Sequence, residues 1–132
     1  MVALAMNGDE ERVIGKAVEI SEGFGSSLIV VHVNDIHAGK MSMMMDSPPK
    51  FTAEDIRQRF IDHGFEETAK MIEIQIIESE SPAKAIGEAA KNIDLLVLGH
   101  RPQSTFKMNF FDSVDEGIIN HVSCPVLVVP KV

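Results

Sequence analysis

Apolar positions along this chain switch between two rhythms, and the switching predicts strands and helices in strict succession. Val2 to Met6 is a short apolar run, read as a buried strand. From Asp9 to Phe24, the residues Val13, Ile14, Ala17, Val18 and Phe24 fall near the 3.6-residue period of a helix. Glu10 and Glu11 occupy its first turn, where carboxylates suit the positive helix end, and Gly25 supplies the stop. Leu28 to Val33 is a continuous, largely β-branched run, the pattern of a strand covered on both faces. Thr52 with Asp55 forms a short capping box, and Phe51 can staple onto Ile56, which starts a helix running to about Thr68. Met71 to Ile77 alternates apolar with polar and predicts a more exposed strand near a sheet edge.

The same alternation continues to the end of the chain. Ser81-Pro82 reads as cap and first turn of a helix whose Ala85, Ile86, Ala89 and Ala90 form a small-residue face. Asp94 to Gly99 is a buried strand closed by a glycine. Ser113 with Glu116 makes a second capping box, and Val114, Ile118, Ile119 and Val122 line the last helix. Pro125 to Val129 is the final strand, ended by Pro130. Two stretches break the pattern. Residues 34–50, with Gly39, Met41, Met43, Met44, Met45 and Pro48-Pro49, are read as a flexible loop, and 100–111 as a shorter one. Five strands alternating with four helices predict a parallel sheet, because parallel neighbours need crossover connections, and those are right-handed almost without exception. The expected fold class is α/β: three layers, doubly wound, one domain over 1–132.

Composition narrows the partners. The 132 residues carry 12 basic and 20 acidic side chains, a formal net charge of −8, which repels nucleic-acid phosphates and anionic lipid alike. With no Trp or Tyr, a base-stacking surface is poorly supplied. No apolar stretch nears the roughly 20 residues of a membrane span. The opening Met1 to Met6 lacks a basic flank and reads as a strand, not a leader, so a cytoplasmic location is expected. The single Cys124 excludes an internal disulfide and a CxxC knuckle, and reads as a small buried hydrophobe.

Candidate chemistry is thin. His32, His37, His63, His100 and His121 show no HExxH spacing, so no zinc site is expected. The methionines at 41–45 near His37 have the softness of a Cu(I) site, but methionine equally packs irregular surfaces, and no metal is expected there. No GxSxG elbow, Walker loop or Cys/His pair is present. Ser113 reads as a cap, and nothing in the sequence orients His100 for acid–base work, so the chain is not expected to be an enzyme.

Three segments carry a resemblance. Asp94 to Arg101, Asp112 to Glu116 and Cys124 to Val129 resemble the C-terminal third of universal stress proteins. Leu4 to Gly8, the strand ending His32-Val33, and Ser81 to Ile86 are similar to the corresponding earlier segments. The resemblance implies a strand order 3-2-1-4-5 of the flavodoxin-like, adenine nucleotide α-hydrolase-like kind, with ligands at the switch point between strands one and four. It implies dimerisation through the last strand, and Val126, Leu127, Val128 and Val129 are too apolar for an exposed edge. Many members bind ATP through Gly-x2-Gly-x9-Gly-Ser/Thr. The resemblance therefore implies Asn7, Val33, Gly99, Arg101, Ser113 and Val114 as cofactor-binding residues.

The motif is altered. Gly99 and Ser113 match its ends, but Pro102 and Asp112 stand at the second and third glycines, and Asn7 replaces an acid. Pro102 removes an N–H and fixes φ near about −65°. Asp112 brings a negative charge where phosphate would lie. Two unit charges about 4 Å apart repel by roughly 1–4 kcal/mol, or one to three decades of triphosphate affinity. Arg101, Lys107 or a divalent cation could offset part of this. The expectation is a regulatory, non-catalytic module with a degenerate nucleotide pocket for ATP or AMP. Two alternatives stand beside it: a member that binds ATP or AMP fully, and a protein-interaction module with a vestigial pocket.

Overall fold

The computed structural model describes residues 1–39, 49–101 and 114–131. Five strands, β1 (Val2–Ala3), β2 (Ile29–Asn34), β3 (Glu73–Glu78), β4 (Leu96–His100) and β5 (Val126–Pro130), form one sheet of order β3-β2-β1-β4-β5. Every pairing is parallel: Val2 stands opposite Val30 and Val97, Ile29 opposite Glu73, and Leu96 opposite Val126. The fold class and strand order expected from the sequence are both present. β3 lies at an edge, as its alternating pattern predicted, and β5 lies at the other.

The helices are α1 (Glu11–Phe24), α2 (Ala53–Asp62), α3 (Glu66–Met71), α4 (Pro82–Ala89) and α5 (Val114–Ile119). Successive strand residues point to opposite faces. Val30, Val97 and Val129 pack with Val13, Ile14, Ile56 and Phe60 under α1 and α2. Val31, Leu96 and Leu98 pack with Ile86, Ala90 and Ile118 under α4 and α5. This division gives the three layers. Cys124 is half-buried against the second cluster, close to its expected role.

Local signals succeed where their chemistry is self-contained. Gly25 ends α1 at φ 62°, and Ser26 N–H donates to the Ser21 carbonyl at 2.9 Å. Thr52 accepts from Asp55 N–H at 3.3 Å while Asp55 accepts from Thr52 N–H at 2.8 Å, the reciprocal capping box. Two expectations are corrected. The helix predicted from Thr52 to about Thr68 is two helices, so the described residues hold five helices where four were expected: the chain turns at Gly64, φ 88°, before α3. Ser81 makes no side-chain cap on α4; Ser79 Oγ instead accepts from Ser81 N–H at 3.0 Å, and Pro82 opens the helix as expected. The second capping box, at Ser113 and Glu116, and the methionines at 41–45 lie outside the described residues and side chains. Of the segment 34–50, Asn34 closes β2, and the turn after it is held by Ala38 N–H on the Asp35 carbonyl at 2.9 Å.

Candidate functional site

β1 is flanked by β2 on one side and β4 on the other, so the crossovers diverge at the C-terminal ends of β1 and β4. There the sheet opens a cavity of about 180 Å³. A crevice at this switch point is where open α/β sheets hold ligands. Its apolar wall includes Leu4, Val33, Ile86, Leu98 and Ile118, and its charged wall residues are Glu10 and Lys131. A cavity of about 150 Å³ accommodates benzene, whereas drug-sized ligands occupy roughly 300–1,000 Å³. This one fits a single ring system.

The loop after β1 forms the floor. Leu4 N–H still donates to the Val31 carbonyl at 3.0 Å, but Met6 then turns at φ 64°, a left-handed conformation uncommon for residues other than glycine. Burial of the Met6 side chain in the core holds the turn. Glu10, 4% exposed, reaches back so that its Oε2 accepts from Ala5 N–H at 2.7 Å. A buried carboxylate in a ligand-sized cavity is an acceptor for hydroxyl or amino donors.

His32 is buried in the wall between β1 and the segment after β2. Its Nδ1 lies 2.7 Å from the Leu4 carbonyl and its Nε2 3.0 Å from Asn34 Oδ1. The Asn34 orientation follows from its other contacts: Nδ2 donates to the Phe51 carbonyl at 2.9 Å, and Oδ1 accepts from Phe51 N–H at 3.0 Å. The Phe51 ring meets the imidazole edge-to-face at 5.4 Å. Both ring nitrogens are thus occupied by protein oxygens, and His32 stitches β1, β2 and the start of α2 together.

A cluster of three charges adjoins the cavity. Asp9 Oδ2 accepts from Arg101, and Lys131 Nζ lies 3.2 Å from Asp9 Oδ1. The lysine is near enough for ion pairing but out of line for a hydrogen bond, which leaves Oδ1 buried without a donor. Burial pushes the Asp9 carboxyl up, but the hydrogen bond from Arg101 and the close positive charges of Lys131 and Arg101 outweigh it and hold the group below the usual carboxylate value. The Lys131 side chain is 9% exposed and runs across Gly99. A Cβ at Gly99 would stand 2.5 Å from Lys131 Cε and 2.7 Å from Val13 Cγ2.

Of the six residues expected at the site, Val33 and Gly99 line the cavity. Arg101 is largely exposed and engaged by Asp9, and Asn7 is exposed in the turn after β1. Val114 is the first residue of α5. Ser113, Pro102 and Asp112 lie outside the described residues. Sequence reasoning missed Asp9, Glu10, His32 and Lys131 as site residues. Two of these had signals. Glu10 falls on the buried stripe of Val13, Ile14, Ala17 and Val18, an anomalous place for a charge. Lys131 follows Pro130, which pairs in register with His100, so parallel pairing alone sets it beside Arg101.

The fold and crevice define a class: a doubly wound parallel α/β domain with a small crevice at its switch point. The universal stress protein family model matches residues 1–130, and the chain belongs to that family. No curated protein matches the chain. Among solved structures it is similar to a universal stress protein in complex with cAMP, with 20% identity over 99% of this chain and 96% of the other, TM-score 0.68. It is similar to a universal stress protein from Archaeoglobus fulgidus, with 22% identity over 97% and 95%, TM-score 0.64. A third, from Archaeoglobus fulgidus in complex with dAMP, shares 19% identity over 97% and 94%, TM-score 0.56. At these identities the likeness speaks to the fold. No helix among the described residues is long and apolar enough to cross a membrane, and these residues hold no metal-binding cluster of His, Cys, Asp or Glu.

Proposed function

We propose that this protein is a non-catalytic regulatory module, one domain over 1–132, that binds an adenine nucleotide with few phosphates. The observation that carries this reading is the small cavity of about 180 Å³ at the β1/β4 switch point, with an acceptor (Glu10) and a cation (Lys131) on an otherwise mostly apolar wall. Solved relatives hold cAMP and dAMP, ligands with one phosphate each. A base enters the apolar part, Glu10 accepts from ribose or amino donors, and Lys131 meets the phosphate. The pocket is degenerate toward ATP because Gly99 is already covered by Lys131 and Val13, and Pro102 and Asp112 replace the other two motif glycines. Among the described residues, the histidine on the cavity wall, His32, has both ring nitrogens against the oxygens of Leu4 and Asn34, which supports a non-catalytic reading.

The test is thermal unfolding with AMP, cAMP or ATP, each with and without Mg²⁺. A ligand at 100 times its Kd stabilises by about 2.7 kcal/mol, a plain rise in Tm. AMP or cAMP should stabilise more than ATP at equal concentration. Equal or greater stabilisation by ATP without Mg²⁺ would overturn the degenerate-pocket reading. The same reading makes the protein a cytoplasmic homodimer through β5, where Val128 is exposed on an edge strand. Light scattering should give twice the chain mass, and Val128→Lys should return it to one.

A further inference from the structure

The three charges beside the cavity have one anion too many for a site that must take a phosphate. Arg101 and Lys131 are the cations paired there, and both are turned onto Asp9. Lys131 lines the cavity itself, so the Asp9 carboxylate sits where an incoming phosphate would find its countercharge. We propose that Asp9 is a specificity-determining residue, an internal counter-anion that sets how much negative charge the site accepts on a ligand. This inference rests on the adenine nucleotide reading above and adds its selection rule.

Within this cluster the two cations and Asp9 leave one positive charge, which Glu10 on the cavity wall offsets, so the described side chains of the site favour a ligand of low charge. A singly charged phosphodiester such as a cyclic nucleotide suits them better than a dianion. A phosphomonoester, doubly charged near neutral pH, must share both cations with Asp9 or push it aside. A triphosphate meets the same carboxylate with more charge still. The pairing is suited to exchange, because Asp9 Oδ1 is buried with no hydrogen-bond donor, so moving it breaks a charge pair but no aligned hydrogen bond at that oxygen. Arg101 is 60% exposed and can follow a ligand outward, whereas Lys131, 9% exposed, stays against Gly99.

The experiment is isothermal titration of wild type and Asp9→Asn with adenosine, cAMP and AMP at fixed salt. Far-UV circular dichroism establishes that each variant is folded, and Asp9→Ser provides a second neutral replacement. Removing the carboxylate should strengthen AMP at least about tenfold, about 1.4 kcal/mol. It should strengthen cAMP by less and leave adenosine unchanged. Lys131→Met, which keeps the stem over Gly99, should bring both nucleotides down toward the affinity of adenosine. If adenosine and the nucleotides bind wild type but Asp9→Asn leaves AMP unchanged or weaker, the counter-anion idea is wrong and the nucleotide reading survives. If none of the three ligands binds either protein, the nucleotide reading falls and this inference with it.

Discussion

Gly99→Ala separates two explanations of the glycine that closes β4. A glycine kept for phosphate would leave the empty protein indifferent to a methyl group. The structure says otherwise: the added Cβ would lie 2.7 Å from Val13 Cγ2 and 2.5 Å and 3.3 Å from Lys131 Cε and Cγ. Carbon pairs sit best at about 3.5–4.0 Å, so the overlap with Val13 is about 1 Å. Val13 is fully buried in α1 and cannot swing away, and Lys131 is flexible but held by Asp9. Overpacking of this kind costs about 1–3 kcal/mol. Replacing glycine also restricts the unfolded chain, which returns about 0.4–1 kcal/mol. The expected net loss is about 1–2 kcal/mol. Urea unfolding without ligand should show a lower midpoint at unchanged slope, with a Tm about 3–8 °C lower. In a Lys131→Ala background the cost should fall by at least about 0.5 kcal/mol, the coupling expected of touching residues. A neutral or stabilising Gly99→Ala in the empty protein would refute the packing argument and return the glycine to the phosphate.

Three further outcomes are expected. Gly87→Ala in α4 would ordinarily stabilise a helix by up to about 1 kcal/mol; here its Cβ meets the His121 backbone carbonyl at 2.9 Å, so the melt should move down by about 2 kcal/mol or more. Asn34→Leu leaves His32 Nε2 and both Phe51 backbone groups without partners, and should cost about 2–4 kcal/mol in urea unfolding, with faster amide exchange at Phe51. Because the folded Asp9 carboxyl is held below its unfolded value, its contribution is present in full above the unfolded pKa of 3.8 and is lost as pH falls through the folded one. Wild type should therefore lose stability relative to Asp9→Asn as pH drops from about 5 toward 2, and parallel pH profiles for the two proteins would contradict the ion-pair geometry.

Much of the architecture was legible because each piece rested on neighbours in sequence. The capping box of Thr52 and Asp55, the Gly25 stop and the 3.6-residue stripe of α1 each span a few residues, so a linear reading sees every partner. The break at Gly64 was missed although the spacing argues for it: Phe60 and Ala69, nine residues apart and so on opposite sides of a continuous helix, share one core because the chain turns between them. Ser81 was misread as a side-chain cap because the turn before α4 is held instead by Ser79, whose Oγ accepts from Ser81 N–H.

The site divides along the same line. Val33 and Gly99 were reachable from the resemblance, since they end strands whose order places them at the crevice. Asp9, Lys131 and Arg101 act together across separations of about ninety residues or more, and His32 meets Leu4 across 28. Hydrophobic period and turn chemistry are properties of short stretches, so the sequence alone determined the elements, their alternation and hence a parallel sheet. Which side chain lies over Gly99, and which carboxylate holds the cations beside the cavity, depends on how adjacent strands align and how α1 sits upon them. Those contacts exist only after long-range pairing, which is why tertiary structure alone decided the charge of the pocket.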